Sequence, residues 1–486
     1  MELSMLTTAA AFAVMDPTPP MGWRSWNLYG SDVSQQLLEA QIIGMTRRKH
    51  SINGKPTSLL DLGYSSIGLD DGWQACGTGV NGSYHDANGQ PLVNHSKFPS
   101  FSDMTAAGHA ANLTMGWYGN NCGCHEIGKV GAYYTQDAKA TVAFGFDATK
   151  IDSCGPSGNV TAWRTELNKA SAAAGKPNVE IENCRNYRYV DELTKTSDCE
   201  AQLFRSTEDN SPDFLSIMAN LMTNARLPGT DKDPHGGLPI THPGCWSYPD
   251  MLEIMNTTCD QNLKNGTCGA ASTARRGGGL STKELQTHFS AWCIVSSPLV
   301  LGHDMADDAS YDTAWPIVSN ADAIAVNQEV SGNDYGRLVA VSNKTMIQDV
   351  YHGKGCECVW LGNPLPQWAV YAKRLNVEGT KAAVLAINLG DTVLSAGAIS
   401  VSYTQIFGAQ SVVAVGSAEA GYTSTRIIVE YDLWKHAETP RSRGMHVNHV
   451  QHFDGGNAGD VASQMWTSPE LGPQSSFFAT LELVLA

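Results

Sequence analysis

The sequence FDATKIDSC at residues 146–154 is a short β-prone segment that ends in polar residues. Six further segments of this kind occur between Met21 and about Val330, and stretches rich in Ala, Leu and Lys follow most of them. Strand-like segments that alternate with helical stretches predict βα units and a parallel sheet. The seven segments are MGWRSWN (21–27), YSSIGLDDGW (64–73), LTMGWYGNN (113–121), FDATKIDSC (146–154), NVEIENC (178–184), QLFRSTED (202–209) and SSPLVLGHDM (296–305).

Polar side chains fall at the carboxyl ends of these segments, where barrel enzymes gather their catalytic groups. They are Asp70, Asp71, Tyr118, Asp152, Glu182 and Asp209. This placement favours a (β/α)₈ TIM barrel over an open doubly wound sheet, and we assign residues 16–332 to it. Helices are predicted at 35–47, 136–143, 160–174, 213–222 and 283–293.

After about Leu338 the segments become short, β-branched and aromatic, with Gly, Asn and Asp turn signals between them. Examples are WAVYAKRL (368–375), KAAVLAIN (381–388), SVSYTQI (400–406) and SSFFATLELVL (475–485). This texture predicts a C-terminal antiparallel β-sandwich over residues 333–486. Residues 1–15 are mildly apolar and resemble a degraded signal peptide or a ragged terminus.

Composition excludes several classes of protein. The 486 residues carry a formal net charge of −16, whereas a general nucleic-acid binder needs a basic face. The sequence contains no apolar run long enough for a membrane-spanning helix. It also lacks the serine-hydrolase elbow, the zinc-protease motif, the phosphate-binding loop and the dinucleotide fingerprint, and we predict neither a cofactor nor a metal.

Twelve cysteines and seven N-x-S/T sequons favour passage through a secretory pathway. Several cysteines lie in local pairs that suit disulfides: 122 with 124, 184 with 199, 259 with 268, and 356 with 358. The sequon asparagines are Asn81, Asn94, Asn112, Asn159, Asn256, Asn265 and Asn343. We expect an extracellular, lysosomal or vacuolar protein; the oligomeric state stays open, with a homodimer as one option.

Carboxylates on strand ends are the candidates for chemistry, since glycoside hydrolysis uses one to attack and another to protonate the leaving oxygen. Lys150 and Asp152 stand two residues apart, so in a strand they share a face and the ammonium can keep Asp152 ionised. The alternative is an ordinary strand-end salt bridge. Asp209 follows Arg205 by four residues, and composition does not choose between it, Glu208 and Asp213.

The adjacent Asp70 and Asp71 could bind a divalent metal or accept hydrogen bonds from the hydroxyls of a sugar. Nearby aromatic residues favour carbohydrate, because the C–H faces of sugar rings pack on aromatic surfaces. They are Trp23, Trp26, Trp73, Trp117 and Tyr118. Taken singly, most of these tryptophans are equally well explained as core residues.

Eight motifs in order resemble glycoside hydrolase family 27, which contains α-galactosidases and α-N-acetylgalactosaminidases. They are PPMGWRSWN (19–27), GLDDGW (68–73), MGWYGNN (115–121), ATKIDSC (148–154), FRSTED (204–209), GCWSYPDMLEIMN (244–256), FSAWCIVSSPLVLGHDM (289–305) and IAVNQE (324–329). The resemblance covers the barrel closely and the sandwich more loosely.

The resemblance implies a role for each matching position. Asp152 would be the nucleophile and Asp209 the acid/base. Asp70 and Asp71 would bind the 4- and 6-hydroxyls of galactose, with Trp26 as an apolar wall. Tyr118, Lys150 and Arg205 would orient the nucleophile and balance its charge, and a disulfide from Cys154 to Cys122 or Cys124 would line the pocket, with Cys76 as a further staple.

The chain departs from the family pattern at three places. Asn120 stands where the family usually has Asp, and Trp246-Ser247-Tyr248-Pro249-Asp250 replaces W-N-D-P-D. The loop at Cys184-Arg185, which would contact the 2-position of the sugar, replaces the C-E-W of α-galactosidases. A bulky Arg185 should disfavour an acetamide, so we expect galactose to be preferred.

These residues predict a retaining exo-acting α-galactosidase that acts on α-galactoside oligosaccharides or glycoconjugates by double displacement. Within the same family, an α-N-acetylgalactosaminidase or a galactosyltransferase stays open. A catalytically silent galactose-binding protein is the non-enzymatic alternative. The joint presence of Lys150, Asp152, Arg205 and Asp209 argues against that alternative.

Overall fold

The computed structural model describes thirteen stretches of the chain. They are residues 16–120, 124, 133–153, 155, 157–184, 201–207, 209–225, 241–254, 280–345, 365–408, 426–435, 447–453 and 464–485. The signal-like segment at residues 1–15 lies outside them. Within the described stretches, no helix combines the length and the apolar character that crossing a bilayer requires.

Ten strands occur in the described part of the chain before residue 330. They are β1 (Met21–Arg24), β2 (His50–Ile52), β3 (Lys55–Thr57), β4 (Ser66–Gly68), β5 (Thr114–Tyr118), β6 (Ala148–Asp152), β7 (Glu180–Cys184), β8 (Leu203–Arg205), β9 (Trp246–Tyr248) and β10 (Leu299–Leu301). Strands β2 and β3 form a hairpin, and the other eight form one parallel sheet in the order β10-β1-β4-β5-β6-β7-β8-β9. A parallel bridge between Leu252 and Leu301 closes this sheet, which confirms the predicted barrel.

Nine α-helices lie in the described part of the barrel region; five of them match the five predicted helices closely, and the other four were not predicted. The nine helices are α1 (Trp26–Tyr29), α2 (Gln35–Thr46), α3 (Phe101–Ala110), α4 (Tyr134–Phe144), α5 (Val160–Ala174), α6 (Phe214–Asn224), α7 (Thr282–Ile294), α8 (Asp308–Val318) and α9 (Ala321–Gln328). Side chains cap several of their first turns; Ser281 and Glu284, for example, form a reciprocal capping box on α7. The sequence analysis assigned no strand to β9, although its residues lie within the quoted motif GCWSYPDMLEIMN (244–256).

The C-terminal part is antiparallel, as predicted. It contains β11 (Arg337–Val341), β12 (Trp368–Arg374), β13 (Lys381–Asn388), β14 (Ser400–Ser402), α10 (Tyr403–Phe407), β15 (Arg426–Asp432), β16 (Val447–Phe453), β17 (Met465–Thr467) and β18 (Ser475–Leu485). Six strands form one sheet in the order β11-β12-β13-β18-β15-β16, and β14 pairs with β17. The predicted strand SVSYTQI is wrong after Ser402, because a capping box between Ser402 and Gln405 starts a helix there.

Both faces of the six-stranded sheet are buried, and each face packs against a different part of the structure. Along β13, Val384 packs towards the small β14–β17 sheet, while Leu385 points into the core shared with barrel helix α7. A strand that is buried on both faces needs apolar side chains at successive positions, which explains the continuous apolar run of β13. Lys373 of β12 reaches the barrel as well, donating to the carbonyl of Val326 at 2.6 Å. The domain boundary at 332/333 stays a prediction.

An acidic pair lies at the amino-terminal end of the barrel strands, opposite the predicted site. Burial and, to a smaller extent, the neighbouring Asp16 and Asp147 together raise the pKa of Glu180, the first residue of β7, to about 8, although Arg164 opposes the shift. Burial also raises the pKa of Asp16 to about 6. At a pH between the unfolded and the folded pKa values, these carboxyl groups are therefore protonated in the folded protein and ionised in the unfolded chain.

We expect the thermal stability to fall as the pH rises from 5 to 7, because this window lies between the unfolded and folded pKa values of Glu180. Glu180→Gln should flatten this dependence and raise the Tm at pH 7 by about 2 °C or more. Thermal melts at stepped pH measure the effect, with the exposed Glu378→Gln as the control. A variant that follows the wild-type slope would contradict the prediction.

Candidate active site

Asp152 is the last residue of β6 and lies beside Tyr118 of the neighbouring strand. The Tyr118 hydroxyl donates to Oδ2 of Asp152 at 2.7 Å, and the Ser153 N–H donates to Oδ1 at 2.5 Å. Burial and the Asp152 charge raise the pKa of Tyr118 well above its usual value, so this hydroxyl stays protonated and remains a donor. Both oxygens of the carboxylate are thus held by donors at fixed positions.

Asn120 holds the backbone of Asp152 from both sides. Its Oδ1 accepts from the Asp152 N–H at 2.8 Å, and its Nδ2 donates to the Asp152 carbonyl at 3.0 Å. An aspartate, the usual family residue here, could accept the first hydrogen bond but would lack the N–H for the second. The departure at this position therefore makes a two-way backbone contact.

Lys150 lies on the same strand, but its ion pair is with Asp70. Its Nζ lies 2.8 Å from Oδ2 of Asp70, and Nη1 of Arg24 lies 3.8 Å from the same oxygen. Arg24 also forms an ion pair with Glu182. Burial raises the pKa of the Asp70 carboxyl, but Lys150 and Arg24 outweigh that effect, so the pKa lies below its ordinary value.

The predicted sugar-contacting residues differ in exposure. Asp71 is buried, and its Oδ1 accepts from the Gly72 N–H at 2.8 Å. Trp26 begins α1 just after β1 and is 40% exposed, as a wall residue should be. Trp23, Trp73 and Trp117 are buried in the core, so the core interpretation is correct for them.

Arg205 ends β8 and connects several site residues. Its Nη2 donates to Asp209 at 3.0 Å, and its Nη1 lies 3.0 Å from Asp250 and 3.4 Å from the sulfur of Cys184. The Asp209 side chain is 67% exposed, whereas that of Asp250 is almost fully buried. Burial raises the pKa of Asp250 to about 6, although Arg205 opposes the shift.

Asp213 and Glu208 were the other candidates for the role of Asp209. Asp213 caps helix α6, where its Oδ1 accepts from the N–H groups of Leu215 and Ser216, which gives it a structural role. Glu208 lies outside the described residues, and so does Arg185 of the predicted 2-position loop.

The disulfide pattern differs from the expected one. Cys124 pairs with Cys76, with the two Cα atoms 5.2 Å apart, so the predicted pairs of Cys124 with Cys154 and with Cys122 are wrong. These two cysteines follow neighbouring strands, which brings their loops together. Cys184 is a buried free thiol beside Arg205, so its predicted pairing with Cys199 is also wrong. Cys122, Cys154 and the pairs after residue 250 lie outside the described residues.

Sequence reasoning did not assign roles to three site residues: Arg24, Glu182 and Asp250. Arg24 had a usable signal, because a charged residue ends the apolar strand MGWR. Glu182 was noted only as a strand-end carboxylate. Within the described residues, no group of three or more His, Cys, Asp or Glu side chains is arranged to hold a metal ion.

Comparisons with known proteins point to one family. A family model described as alpha galactosidase A matches residues 18–269, just over half of the chain. An alpha-galactosidase from Cyamopsis tetragonoloba is 29% identical over 321 residues, and the match spans 65% of each protein. The chain thus covers just under two thirds of that relative.

Solved structures share the fold along almost the whole chain. An alpha-galactosidase from Saccharomyces cerevisiae with raffinose has a TM-score of 0.61 at 20% identity, covering 96% of this chain and 98% of that one. A GH27 β-L-arabinopyranosidase from Geobacillus stearothermophilus has a TM-score of 0.64 at 17% identity, with 96% of both chains covered. At these identities the likeness concerns the fold alone.

Replacing Asn120 by Ala should lower the free energy of unfolding by about 1–3 kcal/mol, because it removes two hydrogen bonds to the Asp152 backbone in a buried place. Denaturant unfolding measures the change. Asn88→Ala, at an exposed loop position, serves as the control and should change stability by less than about 0.5 kcal/mol. Equal effects of the two variants would show that the contact contributes nothing.

Proposed function

Because this chain belongs to the alpha galactosidase A family, glycoside hydrolase family 27, we propose that it is a retaining exo-acting α-galactosidase. One observation carries the proposal beyond family membership. The barrel brings the Tyr118-held carboxylate of Asp152 and the Lys150–Asp70 ion pair to adjacent positions at the carboxyl ends of its strands. That arrangement offers a nucleophile next to charged acceptors for sugar hydroxyls.

In the first step, an oxygen of Asp152 attacks the anomeric carbon while Asp209 gives its proton to the glycosidic oxygen. The bond to the aglycone breaks, and a covalent glycosyl ester on Asp152 forms. The Tyr118 hydroxyl and the Ser153 N–H orient the attacking carboxylate.

In the second step, Asp209 removes a proton from water, and the resulting oxygen nucleophile releases galactose with its α configuration. The exposure of Asp209 supports this role, since an acid/base must exchange its proton and admit water. Arg205 holds this exposed side chain at 3.0 Å and keeps it near the strand end.

Substrate selection depends on Asp70 and Asp71. Lys150 and the Asp71 N–H already occupy part of the acceptor capacity of Asp70, which fixes its orientation and leaves lone pairs for a hydroxyl. Trp26 offers an exposed apolar face at the rim for the C–H face of the sugar. The substrate class is therefore terminal α-linked galactose in oligosaccharides or glycoconjugates.

We also assign the protein to the secretory pathway, towards an extracellular, lysosomal or vacuolar destination. The Cys76–Cys124 disulfide supports this, since such bonds persist in oxidising compartments. Four sequon asparagines, Asn81, Asn112, Asn159 and Asn343, are exposed and so accessible to glycosylation. A homodimer stays a prediction that size-exclusion chromatography with light scattering would decide.

Azide separates the roles of the two carboxylates. Asp152→Gly and Asp209→Gly should each lose at least about a hundredfold of kcat on a nitrophenyl α-galactoside. In Asp152→Gly, azide can attack the anomeric carbon directly and give the β-galactosyl azide. In Asp209→Gly, azide replaces water after the covalent step and gives the α-galactosyl azide. Proton NMR of the products distinguishes them.

The control is Asp103→Asn, at an exposed position of helix α3, which should keep wild-type kcat. Asparagine is used there because glycine would weaken the helix. Activity that survives intact in Asp152→Gly, or the same azide anomer from both variants, would contradict the assigned roles.

Asp71 should distinguish galactose from β-L-arabinopyranose, which has the same ring configuration but lacks the C6 hydroxymethyl group. If Asp70 and Asp71 bind the 4- and 6-hydroxyls, Asp71→Ala should lower kcat/KM for the galactoside by about tenfold or more. The arabinopyranoside should lose less. The ratio of the two kcat/KM values on matched nitrophenyl glycosides is the measurement, and an unchanged ratio would exclude a contact between Asp71 and the 6-hydroxyl.

The rates at which the protein hydrolyses the nitrophenyl α-galactoside and the nitrophenyl α-N-acetylgalactosaminide show which substituent at the 2-position of the sugar it accepts. We expect the galactoside to be the better substrate, because the bulky cation of Arg185 should disfavour an acetamide. A faster reaction with the acetamido sugar would assign the chain to the other activity of its family. Binding of galactose without any hydrolysis would indicate the silent binding protein.

A further inference from the structure

Arg24 and Glu182 form an ion pair inside the barrel, across its width. Arg24 ends β1 and Glu182 lies in β7, and three strands of the sheet separate them in the order β1-β4-β5-β6-β7. Both residues are more than nine-tenths buried. Neither residue takes part in the chemistry proposed above, so this buried ion pair has another role.

The sheet register makes Glu182 a natural partner for a different cation. Lys150 of β6 and Glu182 of β7 are directly paired in the parallel ladder, and adjacent strands lie about 4.8 Å apart. Opposite charges on such neighbouring positions attract each other. The ammonium of Lys150 nevertheless lies 2.8 Å from Asp70, in the segment after β4.

Arg24 explains this choice of partner. Its guanidinium binds the Glu182 carboxylate and thereby neutralises the charge that would otherwise attract Lys150. The barrel interior leaves room for it, because Gly68 is its register partner on β4 and a Cβ there would lie 3.1 Å from the Arg24 Cζ. The four charges Arg24, Glu182, Lys150 and Asp70 then sum to zero.

We propose that Arg24 is a positioning residue: by occupying Glu182, it keeps the Lys150 ammonium on Asp70, one of the two carboxylates that bind galactose. Without Arg24, Lys150 moves to Glu182, and Asp70 loses the partner that fixes its orientation. This inference rests on the proposed galactose site and concerns how that site is kept in order.

The test measures how galactose, 4-deoxygalactose and 6-deoxygalactose inhibit hydrolysis of a nitrophenyl α-galactoside. Arg24→Met should raise the inhibition constant of galactose about tenfold and reduce the discrimination against the deoxy sugars. The double variant Arg24→Met with Glu182→Met should recover both values to within about threefold, because Asp70 is then the acidic partner left for Lys150. Arg48→Met, which removes an exposed ion pair with Asp61, is the control and should change neither.

A merely structural role for Arg24 predicts a different result. Arg24→Met would then lower the Tm and the yield of active enzyme, while the inhibition constants and their ratios stay at wild-type values, and this would overturn the inference. If Arg24→Met does not fold, Arg24→Gln replaces it, because a neutral amide can still hydrogen-bond to Glu182 without neutralising its charge. A folded Arg24→Gln with a raised inhibition constant for galactose supports the inference, and one with wild-type constants and discrimination overturns it.

The proposed function is tested first and separately. A wild-type protein that neither hydrolyses the α-galactoside nor binds galactose would overturn the proposed function, and the inference with it. Wild-type activity together with unchanged discrimination in Arg24→Met would overturn the inference alone.

Discussion

The folded barrel depends on the mutual neutralisation of four buried charges at the carboxyl end of its strands. Arg24, Asp70, Lys150 and Glu182 are each less than one-tenth exposed. An unpaired ion in such a place costs several kcal/mol, which is a large part of the stability of an ordinary domain. Because the four residues come from or follow four different strands, they meet only when the barrel closes. Closure and charge neutralisation therefore depend on each other.

Packing around this layer fixes its geometry. Trp73 stacks on Trp117 with the ring centroids 4.7 Å apart, and its indole N–H donates to the backbone carbonyl of Tyr118 at 3.0 Å. The ring of Trp73 thus holds the strand end from which the Tyr118 hydroxyl reaches Asp152. Trp73 and Trp117, which the sequence suggested for sugar binding, therefore support the site from the core, whereas Trp26 is exposed.

The fold was predictable because its strands end in polar residues that break the apolar pattern. FDATKIDSC and YSSIGLDDGW each place their carboxylates where the strand ends, and parallel strands bring those ends to one rim. Arg24 escaped notice because its partners, Glu182 and Asp70, are 158 and 46 positions away in the chain. The disulfides were mispredicted for the same reason: Cys76 and Cys124 are neighbours only through the contact of their strands.

The two carboxylates of the proposed reaction have environments that suit opposite tasks. Asp152 is held through both oxygens and through its own backbone, and a nucleophile gains from such restraint because the attacking atom must meet one carbon along one line. Asp209 is anchored through Arg205 and is otherwise largely open to solvent, which suits a group that must exchange a proton twice in each cycle. Asp250 shares Arg205 with Asp209, so the guanidinium charge is divided between two carboxylates. Because the buried Asp250 holds this guanidinium from the core side, Arg205 offers the exposed Asp209 side chain an anchor at a fixed position.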